Sequence, residues 1–262
     1  MQIIVCIKQV PDTTEVKIDP ETGRLIREGV PSIVNPFDKH AVEAALQLRE
    51  AHGGKVSVIT MGLPQAQEAL RECLAMGADE AILVSDRPFG GADTLATSYT
   101  LSRACEKAGD FDMILFGKQA IDGDTAQVGP GVAEHLNLPQ VTYVQKILKV
   151  EEGKIQVERG IEGGYEVIEV SFPCVLTVDK SINEPRFPTM MGTMKAHKKE
   201  IPVWGVQDID ADETKIGVDG SATWVKRTFA PERKGRGEII EAETPDEAVA
   251  ILIGKLRDAK VV

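Results

Sequence analysis

The chain has 262 residues, a formal charge of −11 and a pI near 5.0. At this length it can bury roughly 70 to 75% of its unfolded surface, as one domain of about 190 residues with an extension or as two small domains. The acidic balance argues against a nucleic-acid partner and against docking on an anionic membrane, and no segment approaches the ~20 apolar residues of a membrane span.

In chain order, residues 3–7 form an apolar run with no basic stretch before it, too short for a signal peptide, and read as a first strand. Lys8 and Gln9 stand at its carboxyl end. A long insertion follows, in which Val16-Lys17-Ile18-Asp19 and Leu25-Ile26-Arg27 flank Pro20-Glu21-Thr22-Gly23; this reads as a hairpin flap over 12–34. Asn35-Pro36-Phe37-Asp38 then enters a helix with Ala41, Ala44, Ala45 and Leu48 on one face, and Asp38 as a plain helix cap is the competing reading. Residues 56–61 are a second strand, followed by Gly62 and a helix carrying Ala66, Ala69, Leu70 and Cys73. Residues 81–84 are a third, followed by Asp86. Gly90-Gly91-Ala92-Asp93-Thr94 then opens a helix bearing Leu101, Ala104, Cys105 and Ala108, either as a cap or as a phosphate cradle. The alternation predicts an α/β fold with an open, mostly parallel sheet and flanking helices.

Residues 113–116 form the fourth run, continuous in the manner of a strand covered on both faces, and Gly117 ends it. Val128, Val132 and Leu136 place one face of the next helix on the sheet, with its start near Thr125. A first helical turn presents free N–H groups and a partial positive charge suited to phosphate. Gly123 and Ala126 leave room for close approach, and Thr125 and Gln127 add hydrogen bonds. Asp122 and Asp124 would repel a phosphate, so they are expected on ribose hydroxyls, loop amides or the cap; capping alone is the competing reading of the stretch.

From about residue 141 the pattern becomes an antiparallel meander, with strands at 147–150, 155–157 and 167–170 and turns at Glu152-Gly153 and Gly163-Gly164, returning to a buried strand at 174–178. No sheet pattern follows Asn183. The last 75 or so residues carry isolated apolar anchors, basic stretches at 195–199 and 234–236, and a helix over 245–259 with Val249, Leu252, Ile253 and Leu256 on one face. Such an extension buries little of itself and is expected on a partner chain. The division is therefore a core of residues 1–183 and an arm of residues 184–262.

Neither Gly-x-Gly-x-x-Gly after the first strand nor a P-loop is present, and no Gly-x-Ser-x-Gly appears. Cys6, Cys73, Cys105 and Cys174 are widely spaced and read as reduced cysteines of a cytoplasmic protein. His40, His52, His135 and His197 lack metal-ligand spacing, so no metal and no catalytic residue is assigned. The chain reads as a nucleotide holder whose reactivity belongs to its ligand.

Five ordered motifs resemble the β subunit of electron-transfer flavoproteins across nearly the whole chain: residues 5–11, Asn35 to Asp38, Met76-Gly77-Ala78-Asp79, Gly117 to Gln127, and Asn183-Glu184-Pro185-Arg186-Phe187 with Met194-Lys195-Ala196. The resemblance implies a Rossmann-like, adenine-nucleotide-binding core in a heterodimer whose α subunit carries an electron-transferring FAD. It places nucleotide contacts on Cys6, Asn35, Pro36, Phe37, Asp38 and Met61, beside Lys8, a candidate by its place at the carboxyl end of the first strand. It places others on Gly117, Lys118, Gln119, Ala120, Ile121, Asp122, Gly123, Asp124, Thr125, Ala126, Gln127 and Val128. Residues 10–13, 27–32 and 90–98 look like the electron-bifurcating members. There the β-subunit nucleotide is a second FAD that accepts hydride from NADH, and the last of these segments helps hold it; a second phosphate needs another helix start and further polar side chains, which Asp93, Thr94 and Thr97 are expected to supply. Electrons then part toward ferredoxin or flavodoxin and, through the α-subunit FAD, toward an acyl-CoA dehydrogenase or similar flavoenzyme. The simpler alternative is structural AMP in a one-path electron carrier. Residues 184–199 correspond to the loop that docks on the dehydrogenase, with Arg186, Met190, Lys195, Lys198 and Lys199 as its candidates; a solvated basic face is the competing reading.

Overall fold

The computed structural model describes residues 1–12, 31–226 and 237–261, so most of the expected flap and the basic loop at 234–236 lie outside the described residues. The strands are β1 (Gln2–Cys6), β2 (Gln9–Pro11), β3 (Ser32–Val34), β4 (Lys55–Met61), β5 (Glu80–Val84), β6 (Met113–Gly117), β7 (Gln140–Glu151), β8 (Lys154–Ile161), β9 (Gly164–Ser171), β10 (Cys174–Val178) and β11 (Val203–Trp204). The helices are α1 (Pro36–His52), α2 (Gln67–Met76), α3 (Thr94–Ala108), α4 (Val128–His135), α5 (Met190–Lys198) and α6 (Pro245–Asp258). One sheet orders its strands β11-β5-β4-β1-β6-β10-β7-β8-β9. The first seven run parallel, and β8 and β9 fold back antiparallel as the expected meander. β2 and β3 form a separate antiparallel pair.

The continuous apolar runs follow from burial on both faces. Ile3, Val5, Val56, Val58, Met113 and Leu115 join the buried faces of α1 and α2 in one cluster. Ile4, Cys6, Ile59, Ile114 and Phe116 join Leu101, Ala104, Cys105, Val132 and Ala133 of α3 and α4 in another. Ala41, Ala44 and Ala45 let α1 lie close to the sheet, and Gly53 ends the helix at φ 70°, a conformation that suits glycine.

The chain leaves β1 toward β4 and β5 on one side, then returns through α3 to β6 on the other. The carboxyl ends of β1 and β6 are therefore the topological switch point, where open α/β sheets bind ligands. Beyond residue 183 the sequence pattern missed two elements. β11 is only two residues long and pairs with β5 as the sheet's edge, and α5 packs one small face, Ala196, inward. The compact unit that holds the sheet thus extends to Lys226. A second unit holds α6, where Thr244 caps the helix and Lys255 pairs with Glu238 at 2.7 Å. No helix among the described residues is long and apolar enough to cross a membrane.

Candidate functional site

The switch point is built around two nearly buried polar side chains, Asn35 and Asp38. Asp38 does not cap α1, because it sits inside the first turn with its amide bonded to the Asn35 carbonyl at 2.9 Å. One carboxylate oxygen instead accepts from the Lys8 amide at 2.7 Å, just past β1, and the other from the Gly117 amide at 3.1 Å, at the end of β6. Asn35 holds the cap position but spends its side chain elsewhere. It accepts from the Ile121 amide at 3.1 Å and donates to the Gln119 carbonyl at 2.8 Å. Together the two residues tie both strand ends to the loop of residues 118–127. Burial pushes the Asp38 carboxyl up to about 7, against the lowering effect of hydrogen bonds from Asn35, Lys8 and Gly117.

Gly117 is required here. A Cβ would stand 2.3 Å from Asp38 Oδ1 and 2.6 Å from the Phe37 carbonyl carbon. Across the loop, Lys8 Nζ pairs with Asp122 at 2.6 Å, and Gln119 donates to Asp124. Lys118 pairs with Asp179 at 3.1 Å, over the Tyr143 ring. The helix that follows begins at Val128, three residues later than the sequence suggests, with Gln127 at a cap position that makes no side-chain cap bond. Capping by Asp122, Asp124 or Thr125 therefore does not account for the stretch: the amides of residues 125–129 find no acceptor among the described residues. Thr125 and Gln127 are exposed beside them. A row of open amides at a helix start, with small residues allowing approach, is the chemistry that receives phosphate.

At the adjacent helix, the cap alternative holds for Asp93. One oxygen takes the Leu95 and Ala96 amides at 2.9 and 3.1 Å, and the other takes the Thr223 amide and hydroxyl at 2.9 and 3.0 Å. Burial raises its carboxyl, but these donors outweigh burial and hold it below the usual range. Thr94 donates to Gln127 at 2.8 Å, so the starts of α3 and α4 meet; Thr97 lies half-buried on the first turn of α3. The Cys6 side chain packs in the core. It is buried 3.9 Å from Cys105, while Met61 packs half-buried against the same core. All four cysteines are free and buried, as expected.

The docking candidates divide. Met190, Lys195 and Lys198 are exposed, Met190 beside exposed Phe187, Met191 and Met194. Arg186 is instead consumed within the chain by Glu43 and Glu50 of α1, and Lys199 by the carbonyls of Ala78 and Asp79. The sequence pattern does not reveal Glu43, Glu50 or the Asn183–His40 pair. They lie on a helix read for its apolar face, and no local spacing marks a bond across 143 residues.

The sequence matches a family model, the electron transfer flavoprotein domain, over residues 22–209. It is 53% identical to the caffeyl-CoA reductase-Etf complex subunit CarD of Acetobacterium woodii, covering all of both chains. It is 52% identical to the electron transfer flavoprotein subunit beta of Clostridium acetobutylicum over 98% of each chain. It is 48% identical to Protein FixA of Azorhizobium caulinodans over 88% of this chain and 85% of that one.

Proposed function

From the premise that this chain belongs to the electron transfer flavoprotein family as a β subunit, we propose that it holds FAD at the switch point of its sheet and works in a heterodimer with an α subunit. The observation that carries the nucleotide reading is the row of open amides at 125–129, set against a loop that Asn35 and Asp38 fix in place. Those amides and the Thr125 and Gln127 side chains hold phosphate; Asp122 and Asp124 shape the loop, and Gly123 keeps the approach open. The Thr94–Gln127 bond extends the wall to a second helix start, the size a dinucleotide needs. Likeness to a subunit named for a caffeyl-CoA reductase–Etf complex supports assembly with an enzyme acting on a CoA thioester.

Bound there, FAD supplies hydride acceptance from NADH and single-electron transfer, to ferredoxin or flavodoxin on one side and through the α-subunit FAD to an acyl-CoA dehydrogenase or related flavoenzyme on the other. The chain's own share is to orient the nucleotide and to present the exposed methionine face of α5 to that cytoplasmic dehydrogenase.

One observation favours AMP instead: Asp93 already occupies the first amides of α3, leaving one open helix start and not two. The test is to produce the heterodimer, release its nucleotides and count them. Two FAD per heterodimer with flavin reduction by NADH is the expected result. One FAD with one AMP makes this a single-path electron carrier, and absence of flavin overturns both.

A further inference from the structure

Resting on the nucleotide reading above, we propose that Asp38 is a positioning residue: its ionised carboxylate latches the loop of residues 118–127 in its nucleotide-holding shape, and protonation of this one side chain loosens the nucleotide. The geometry is specific to a carboxylate. Two N–H donors from two strand ends, Lys8 and Gly117, converge on its two oxygens. A neutral carboxyl carries a proton on one oxygen, which is then a weaker acceptor, and an asparagine presents an NH2 group that faces a donor with a donor, so the first weakens and the second loses one of the two bonds. The end of β6 is where the loop starts. Asn35, three residues from Asp38 on the same helix start, carries the register onward through Gln119 and Ile121. Losing the Gly117 bond therefore removes the side-chain hold on the loop's root and leaves it to the backbone pairing with Val178 alone.

The titratable and charged groups packed around Asp38 are buried or paired. From β1 and the residues after it come the buried Cys6 thiol, itself pushed up first by its contact with Cys105 and by burial, and Lys8, whose ammonium is committed to Asp122. From α2 come Cys73, pushed above the ordinary thiol range by burial, and Glu72, which is paired with Lys39 of α1 at 2.7 Å. The loop contributes Lys118, paired with Asp179, and Asp122. Burial leaves the Asp38 carboxyl at about 7, so the latch changes state near neutral pH.

The test uses the nucleotide-loaded heterodimer and its Asp38→Asn form, with nucleotide retained after dilution measured from pH 5.5 to 8.5. Because both forms carry the same nucleotides and the same α subunit, titration of the ligand and loss from the other subunit cancel in the comparison. The expected result is wild-type retention rising about tenfold across neutrality along a one-proton curve, the change that one unit of pKa difference between free and loaded protein produces. Asp38→Asn is expected to be weak and flat. A wild-type profile that is flat, or one that Asp38→Asn reproduces, overturns the latch. A heterodimer holding no more nucleotide than the α subunit alone at every pH overturns the nucleotide reading itself. Should the variant not fold, hydrogen exchange on wild type decides. Protection of the Gly117 and Ile121 amides, corrected for intrinsic rate and referenced to Val5, falls below neutral pH if the latch exists and stays constant if it does not.

Discussion

Arg186 donates from Nε to Glu43 at 2.8 Å and from its own amide to the same carboxylate oxygen at 3.1 Å, fastening the segment before α5 onto α1. The Glu43 side chain is only 4% exposed, so it depends on that partner. Arg186→Met strands a carboxylate and is expected to cost about 3 kcal/mol, lowering Tm by roughly 10 °C for a domain of this size. Glu43→Gln paired with Arg186→Met removes the stranded charge and restores part of the loss, which a double-mutant cycle on thermal unfolding reads directly. Burial raises the Glu43 carboxyl, but the Arg186 bonds outweigh it and hold it below the ordinary value. A depressed acid contributes stability present above its unfolded pKa, and that share is lost as pH falls through the lower folded value. The gap between wild type and Arg186→Met therefore narrows below about pH 4. Nucleotide content is expected to stay unchanged, and under the proposed docking of the α5 methionine face, electron delivery to the partner flavoenzyme slows because that face loses its anchor.

Asp38 carries the opposite sign. Its folded value of about 7 lies above the unfolded carboxylate value, so its contribution to stability is complete in acid and is lost as pH rises to and through about 7. The difference is on the order of 4 kcal/mol at most. Chemical denaturation from pH 5 to 8 is expected to show this decline in the nucleotide-free protein, with a shallower slope in Asp38→Asn. The fold favours a neutral Asp38 while the loop needs an ionised one, so stability and nucleotide retention move in opposite directions with pH.

The parallel sheet was legible because its inner strands, such as β1, β6 and β10, are buried on both faces, and in a chain that alternates strand and helix a short continuous apolar run such as 113–116 marks a covered strand. That 117–128 is a loop between a buried strand and a helix was legible from local signals, Gly117, Gly123 and the cap-type residues; that it is a nucleotide site remains the proposal. What those residues do was not legible. Asp38 looks like a cap residue and instead joins two strands, and the open amides begin at residue 125 because α4 starts late. β11 escaped because a two-residue edge strand has no period to read, and Arg186 looked available for a partner because its acids lie on another element.

Gly117→Ala probes the root of the loop. The added methyl would overlap Asp38 Oδ1 at 2.3 Å and the Phe37 carbonyl carbon at 2.6 Å, so α1 or β6 must shift. Neither can, since Gly117 pairs with Val178 on one side while Asp38 holds it on the other. Overpacking of this kind is expected to cost about 2 to 3 kcal/mol together with most of the bound nucleotide. Equilibrium unfolding and nucleotide content after purification check both; unchanged nucleotide content would show that the loop does not depend on the Asp38–Gly117 contact.

Lys8→Met separates charge from scaffold. The Lys8–Asp122 pair has side chains 48% and 31% exposed, so water screens it and its loss is expected to cost under about 1 kcal/mol. Tm should accordingly fall by no more than about 3 °C. A bound nucleotide is expected to experience more, because Asp122 then leaves an uncompensated carboxylate beside the proposed phosphate site. Affinity is expected to fall about tenfold at low ionic strength, with the deficit shrinking as salt screens the charge. Adding Asp122→Asn to Lys8→Met restores most of that loss if repulsion is the cause. Nucleotide titrations of the three proteins at low and high salt measure it, and a deficit independent of both salt and Asp122 would place Lys8 in direct contact with the nucleotide.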